Sequence, residues 1–243
     1  MRWRTGVVIL VAFVVAGCGA TAPGRPAANV GTVESRVVPA SILDLPLTDQ
    51  NGHSVDLASY RSKVLVIVPF LTLCTDICPL DTGNLLQVTT ALRRSAAASM
   101  VQLMELSVDP VRDTPARLHA YAQLTGASWK LVTETPAEAT TLEDFFGWVV
   151  QKVAEDKPPS IDWWTGKPLT YDINHSDGFV VVTDGKERFS TGAAPNFHGR
   201  ITPKLFHFLD DEGFYHLDHP APGSWTPTSM VQVLSWTLGK PIT

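Results

Sequence analysis

The run from Lys63 to Phe70, KVLVIVPF, constrains the fold more than any other stretch of this chain. It is apolar without a break after its first residue and lacks the alternation of a strand with one wet face. Such a run suits a strand covered on both sides. It leads directly into Leu73-Cys74-Thr75-Asp76-Ile77-Cys78-Pro79, and a helical apolar pattern through Leu80, Leu85, Leu86 and Leu92 follows to about Ser95. Two cysteines therefore sit just past the carboxyl end of a central strand, where open α/β sheets bind ligands.

The rest of the chain repeats the alternation. Asn51-Gly52 between two short alternating runs reads as an N-terminal hairpin. Val101–Val108 reads as a second buried strand, and Thr114-Pro115 opens a helix that Gly126 closes. Thr135 and Glu138 have capping-box spacing and start a helix expected to reach about Val150. Gly178–Thr183 is a further strand ending in a turn at Asp184-Gly185, and Ser229–Leu238 is a closing helix. Lys204–Leu217 reads as an extra hairpin around Asp211–Gly213. Strands alternating with helices predict an α/β sandwich around a largely parallel sheet. At 243 residues the chain is long enough for one full core.

The N-terminus reads as a secretory leader. Arg2 and Arg4 precede the apolar run Gly6–Ala16, which is short for a bilayer span but suits a leader's apolar core. It ends in Val15-Ala16-Gly17-Cys18, which resembles a bacterial lipobox. The expected organisation is a lipoprotein signal peptide over 1–17, a flexible Ala/Gly/Pro-rich tether over 18–37 from a lipidated Cys18, and a domain over 38–243. Several acyl chains on Cys18 would hold the domain stably at the extracytoplasmic face of the cell membrane. The formal charge of −5 becomes more negative once Arg2 and Arg4 leave with the leader. No basic stripe remains, which argues against nucleic acid as a partner.

Of three cysteines, the lipobox claims one, leaving Cys74 and Cys78 in a disulfide-permissive compartment. A disulfide between them would close a very small loop and remove little unfolded-state entropy, so a purely structural staple would be poorly placed. A helix start lowers a thiol pKa and favours the thiolate. Residues at i and i+4 share one side of a helical turn, so both sulfurs can converge on a disulfide or on one ion. Two thiolates select Cu(I), Cu(II) or Zn(II) over hard cations, and a third ligand is then needed from elsewhere. His175, in YDINHSDGFVVVTDG, is the best of the seven histidines, in a loop before a strand with Asn174 and Ser176 beside it.

Three segments, CTDICP, SVDPVRDTP (Ser107–Pro115) and YDINHSDGFVVVTDG (Tyr171–Gly185), stand in the order and spacing of the Sco/SenC family, which this chain resembles from about Ile42 to Phe189 and in its last helix. The resemblance implies a thioredoxin-like fold: a central mixed sheet flanked by helices, with the N-terminal hairpin and loop or hairpin insertions at about 156–170 and 192–227. It implies a membrane-tethered copper protein that helps assemble the CuA centre of cytochrome c oxidase. By position, Cys74, Cys78 and His175 match the family's ligands for one copper ion per domain. Cys74 and Cys78 also form the matching redox pair and a possible disulfide. Asn174 and Asp109 are the residues expected to support those ligands. Asp109, Arg112, Asp113 and Thr114 read as capping and loop-bracing residues. The implied partner is subunit II of cytochrome c oxidase or a similar apo copper protein.

The chain departs from the family pattern in three places. Thr75 replaces a common proline after the first cysteine, which is expected to loosen the loop. Asn174 replaces a common aspartate and removes a charge. The 192–227 insertion holds His198, His207, His216 and His219. Hairpin positions with aromatic neighbours make packing or surface exposure the expected role of His207 and His216. In 156–170, Trp163 and Trp164 serve either as a partner-docking surface or as rings folded back onto the domain. Three functions stay open at this level: a metallochaperone, a thiol–disulfide oxidoreductase using Cys74 and Cys78 without physiological copper, and a copper or redox sensor lipoprotein.

Overall fold

A computed structural model describes residues 22–197 and 201–243. The leader, Cys18 and His198 lie outside the described residues. In chain order the elements are β1 (Thr32–Val37), α1 (Ala40–Leu43), β2 (Leu47–Asp49), β3 (Ser54–Val55), β4 (Val64–Phe70), α2 (Cys78–Arg93), β5 (Val101–Ser107) and α3 (Pro115–Thr125). They continue with β6 (Lys130–Thr133), α4 (Pro136–Phe146), β7 (Val150–Val153), β8 (Asp172–His175), β9 (Phe179–Thr183), β10 (Lys186–Thr191), α5 (Pro203–Phe206), α6 (Asp211–Asp218) and α7 (Pro227–Leu238).

One eight-stranded sheet runs β1-β10-β9-β4-β5-β6-β2-β3, and β7 and β8 form a separate antiparallel arm. Every residue of β4 is buried, as its unbroken apolar run requires. Its side chains divide by the two-residue period of a strand. Val64, Val66, Val68 and Phe70 pack with Leu85 of α2, Leu118 of α3 and Val233 of α7. Leu65 and Ile67 pack with Ile42 of α1 and Leu142 of α4 on the other face. This is the mixed, helix-flanked sheet expected of a thioredoxin-like fold. The pairings of β4 with β5 and β5 with β6 are parallel; the remainder of the main sheet is antiparallel, so the sheet is less parallel than the strand–helix alternation suggests.

Three segments differ from the sequence reading, and a fourth, left open there, takes a definite form. Thr32–Val37, read as the end of a flexible tether, instead adds to β10 as an edge strand. Helix α4 stops at Gly147, which takes φ 74°, and Val150 already belongs to β7. The expected hairpin at Lys204–Leu217 is instead the helix pair α5 and α6. Asp210 caps α6 by accepting from the Glu212 and Gly213 amides, and Asp211 and Glu212 at the N-terminus with His216 in the last turn complement the helix dipole. Asp211–Gly213 is thus a helix start, not a turn. Finally, the insertion around Trp163 is folded back, but only in part. Asp162 forms a bidentate pair with Arg117 of α3 at 2.8 and 2.7 Å, and the Trp163 indole donates to the Thr72 carbonyl at 2.7 Å, while Trp164 stays 45% exposed.

Glu105 of β5 is fully buried, accepting from Thr82 Oγ1 and Trp129 Nε1, both at 2.8 Å. Burial pushes its carboxyl up to about 7 in spite of those bonds. A raised folded-state pKa means that stability is complete below the ordinary carboxylate range and declines as pH rises through about 7. Denaturant melts at pH 5 and pH 8 should show this loss, up to about 3 kcal/mol for this group. Glu105→Gln should flatten the profile; an unchanged decline in the variant would assign it to other groups.

Candidate metal centre

The strand β4 ends at Phe70, and Thr72 anchors the loop that follows. Buried Asp113 accepts from the Thr72 hydroxyl at 2.5 Å and from Ser107 Oγ at 2.7 Å, tying the exits of β4 and β5 together. Cys74 sits in the loop and Cys78 begins α2, with Pro79 in the first turn where no amide donor is needed. The Cys78 amide donates to Cys74 Sγ at 3.3 Å. Both cysteines are free thiols; Cys78 is buried and Cys74 is partly exposed.

His175 arrives from the β7–β8 arm, at the end of a strand and not in a loop. Gly178 then turns the chain into β9 at φ 91°, where a Cβ would lie 1.9 Å from the Thr191 carbonyl oxygen, so only glycine fits. His175 Nδ1 donates to the Ser176 carbonyl at 2.8 Å. That bond leaves Nε2 facing the sulfurs, 3.4 Å from Cys78 Sγ. The two Sγ atoms and one imidazole nitrogen lie within 4.8 Å of one another.

The SVDPVRDTP segment braces this arm. Arg112 pairs with Asp109, donates through Nη1 to the Tyr171 carbonyl at 2.7 Å and lies 3.8 Å over the Tyr171 ring. Tyr171 OH donates to Asp109 at 3.1 Å. Asp109 therefore holds Tyr171, the residue that enters β8, the strand that ends at His175. Asn174 does not join this set: it is exposed, on the opposite face of β8 from His175.

The electrostatics separate the two thiols. The hydrogen bond from Cys78 lowers the Cys74 pKa, against the opposing effect of burial, with His175 adding to the lowering. Burial raises Cys78, and the Cys74 charge raises it further. Burial opposes charge on the His175 ring, but the Cys74 thiolate outweighs it and its pKa rises. One partly exposed sulfur with a lowered pKa thus stands beside one buried thiol with a raised pKa and one oriented imidazole. This donor set fits a soft or borderline ion: two sulfurs select it, and the backbone carbonyl fixes the ring's tautomer.

Sequence reasoning missed the contact between the insertion and this loop. Thr75 Oγ1 donates to Asp210 at 2.6 Å, and the Asp210 amide donates to the Thr75 carbonyl at 3.0 Å. Thr75 therefore ties the loop down where loosening was expected. His216 is on α6, not on a hairpin strand, and its Nδ1 lies 2.5 Å from Asp76 Oδ1. Its expected role in packing or at the surface gives way to this pairing, while His207 is exposed. Asp210 with acids in the first turn was the available signal for a helix here.

The SCO1/SenC family model matches residues 41–207. The chain belongs to the SCO1/SenC family. Copper-bound ScoI of Bradyrhizobium japonicum is 26% identical to this SCO1/SenC protein, with 70% of this chain and 96% of that one covered at a TM-score of 0.50. Apo Sco1 of Thermus thermophilus shares the fold at 23% identity, with 67% and 86% covered and a TM-score of 0.52. The mitochondrial SCO2 homolog of Bos taurus is 34% identical over 80 residues, a third of this chain, and the match spans 30% of the bovine protein's length.

The unequal thiols give a direct test. Brief alkylation of the reduced protein near neutral pH, mapped by mass spectrometry, should label Cys74 at least about tenfold faster than Cys78. Equal rates would contradict the assignment of the thiolate to Cys74.

Proposed function

We propose that this SCO1/SenC protein is a copper metallochaperone tethered at the extracytoplasmic face of the membrane through a lipidated Cys18. It delivers copper to, or prepares the cysteines of, the CuA site in subunit II of a cytochrome oxidase. The observation that carries this reading is the convergence of Cys74 Sγ, Cys78 Sγ and His175 Nε2 from two separate elements. Copper bound to the similar ScoI of Bradyrhizobium japonicum supports it.

Three donors, two of them partly exposed (Cys74 and His175), suit an ion that must be held and then given up. Cys74 and Cys78 bind as thiolates and His175 through Nε2, with the Ser176 carbonyl keeping the ring in place. A recipient's own thiolates and imidazoles replace these ligands stepwise, beginning with Cys74, the more accessible sulfur. Asp109 and Arg112 keep the arm, and so the imidazole, in register with the cysteines.

The lowered Cys74 thiol beside a buried Cys78 also supports a second reading, a thiol–disulfide oxidoreductase. Cys74 would attack a target disulfide and Cys78 would resolve the mixed disulfide. The domain ends with a Cys74–Cys78 disulfide and the target with two thiols. A sensor lipoprotein has no comparable observation in its favour.

Copper loading of the full chain, reduced and in a Cys18→Ser background, tests the first reading. The protein should retain one ion through dialysis against a weak chelator. Cys78→Ala and His175→Ala should each lose it. Arg112→Ala, which frees the arm without touching a ligand, should weaken it by about 10–100-fold. No retention by the parent chain would refute the proposal. Full oxidase assembly by His175→Ala in cells, with its dithiol still cycling, would replace it by the redox reading.

A further inference from the structure

The insertion between β10 and α7 brings a second set of donors to the cysteine loop. Helix α6 is seated on that loop by the paired bonds between Thr75 and Asp210. It lies so close that a Cβ on Gly213 would come within 2.5 Å of the Thr75 carbonyl oxygen and 3.2 Å of Asp76 Cα. Across this seam His216 Nδ1 meets Asp76 Oδ1 at 2.5 Å. Glu212 precedes His216 by one helical turn and so shares its face. One ligand atom from each of Asp76, Glu212 and His216 lies within 4.8 Å of the other two.

An ion pair between His216 and Asp76 accounts for two of these residues and leaves Glu212 unexplained. It also leaves an excess of negative charge, since two carboxylates face one imidazole and Asp177 adds a further negative field at His216. Among the described residues, no lysine or arginine forms an ion pair with Asp76, Asp177 or Glu212. The His216 and Asp76 side chains are 30% and 31% exposed, so a small solute reaches them from solvent.

We propose that Asp76, Glu212 and His216 form a second metal site, selective for a borderline divalent transition ion such as Zn(II) or Cu(II). One imidazole and two carboxylates suit such an ion, whereas a soft monovalent ion prefers thiolates. The second site would therefore disfavour Cu(I), which the sulfur site accepts, while both sites can hold Zn(II). They are joined mechanically, because Asp76 lies in the chain between Cys74 and Cys78, and an ion at the second site would pin the loop that carries both sulfurs. The proposal does not depend on copper being the ion held by Cys74, Cys78 and His175.

Zn(II) is the probe, measured by calorimetry and by metal analysis after dialysis, in a Cys18→Ser background throughout. Cys74→Ser/Cys78→Ser should still bind one Zn(II) per chain, and adding His216→Ala should weaken that binding by at least about tenfold, with Glu212→Gln acting in the same direction. In the chain with both cysteines intact, His216→Ala should lower bound Zn(II) from two ions to one. This second comparison decides the matter if the double serine variant fails to fold. No Zn(II) bound by a folded double serine variant, or stoichiometry and affinity unchanged by His216→Ala, would overturn the proposal. Neither result depends on whether the sulfur site retains copper.

Discussion

The hydrogen-bonded ladder around β4 is the constraint on which the site depends. β4 lies between β5, to which it is parallel, and β9, to which it is antiparallel. The carboxyl ends of β4 and β5 and the amino end of β9 therefore fall at one edge of the sheet. The cysteine loop leaves from the first, the Asp109–Arg112 brace from the second, and the arm carrying His175 enters at the third. Residues a hundred positions apart meet because strand order leaves them nowhere else to go. Burial of β4 on both faces keeps that geometry from drifting, since a one-residue slip would exchange the two cores.

The chemistry follows from how unequally the two thiols are buried. This loop holds one sulfur near solvent, its pKa lowered, and the other buried, its pKa raised. The same inequality serves metal exchange and disulfide exchange alike, because each begins at one accessible sulfur: the first ligand displaced in one, the nucleophile in the other. His175 separates the two chemistries, since an oriented imidazole is a ligand in one and a bystander in the other.

The central strand and the helix behind it were legible in the sequence, because an unbroken apolar run and a proline after Cys78 each have one physical reading. The caps at Thr114 and Thr135 were legible for the same reason: each side chain accepts the amide bond its spacing promises. The elements that escaped are those fixed by tertiary contact. Thr32–Val37 has a tether's neighbours but finds an edge at β10. Asp211–Gly213 looks like a turn until Gly213 is needed for the approach of α6 to Thr75. The three candidate ligands could be chosen by motif, but Asn174, next to one of them, could not be placed until the pleat of β8 put it on the far face. The contacts of Thr75 and His216 depend on an insertion whose docking no local pattern announces.

The measurement that tests the account most directly is X-ray absorption at the copper edge of the loaded, reduced protein. Two sulfurs and one imidazole nitrogen in the first coordination shell, with the imidazole signature lost in His175→Ala, is the predicted result. A shell of oxygen and nitrogen without sulfur, or one unchanged by removing His175, would contradict the ligand set on which the functional reading rests.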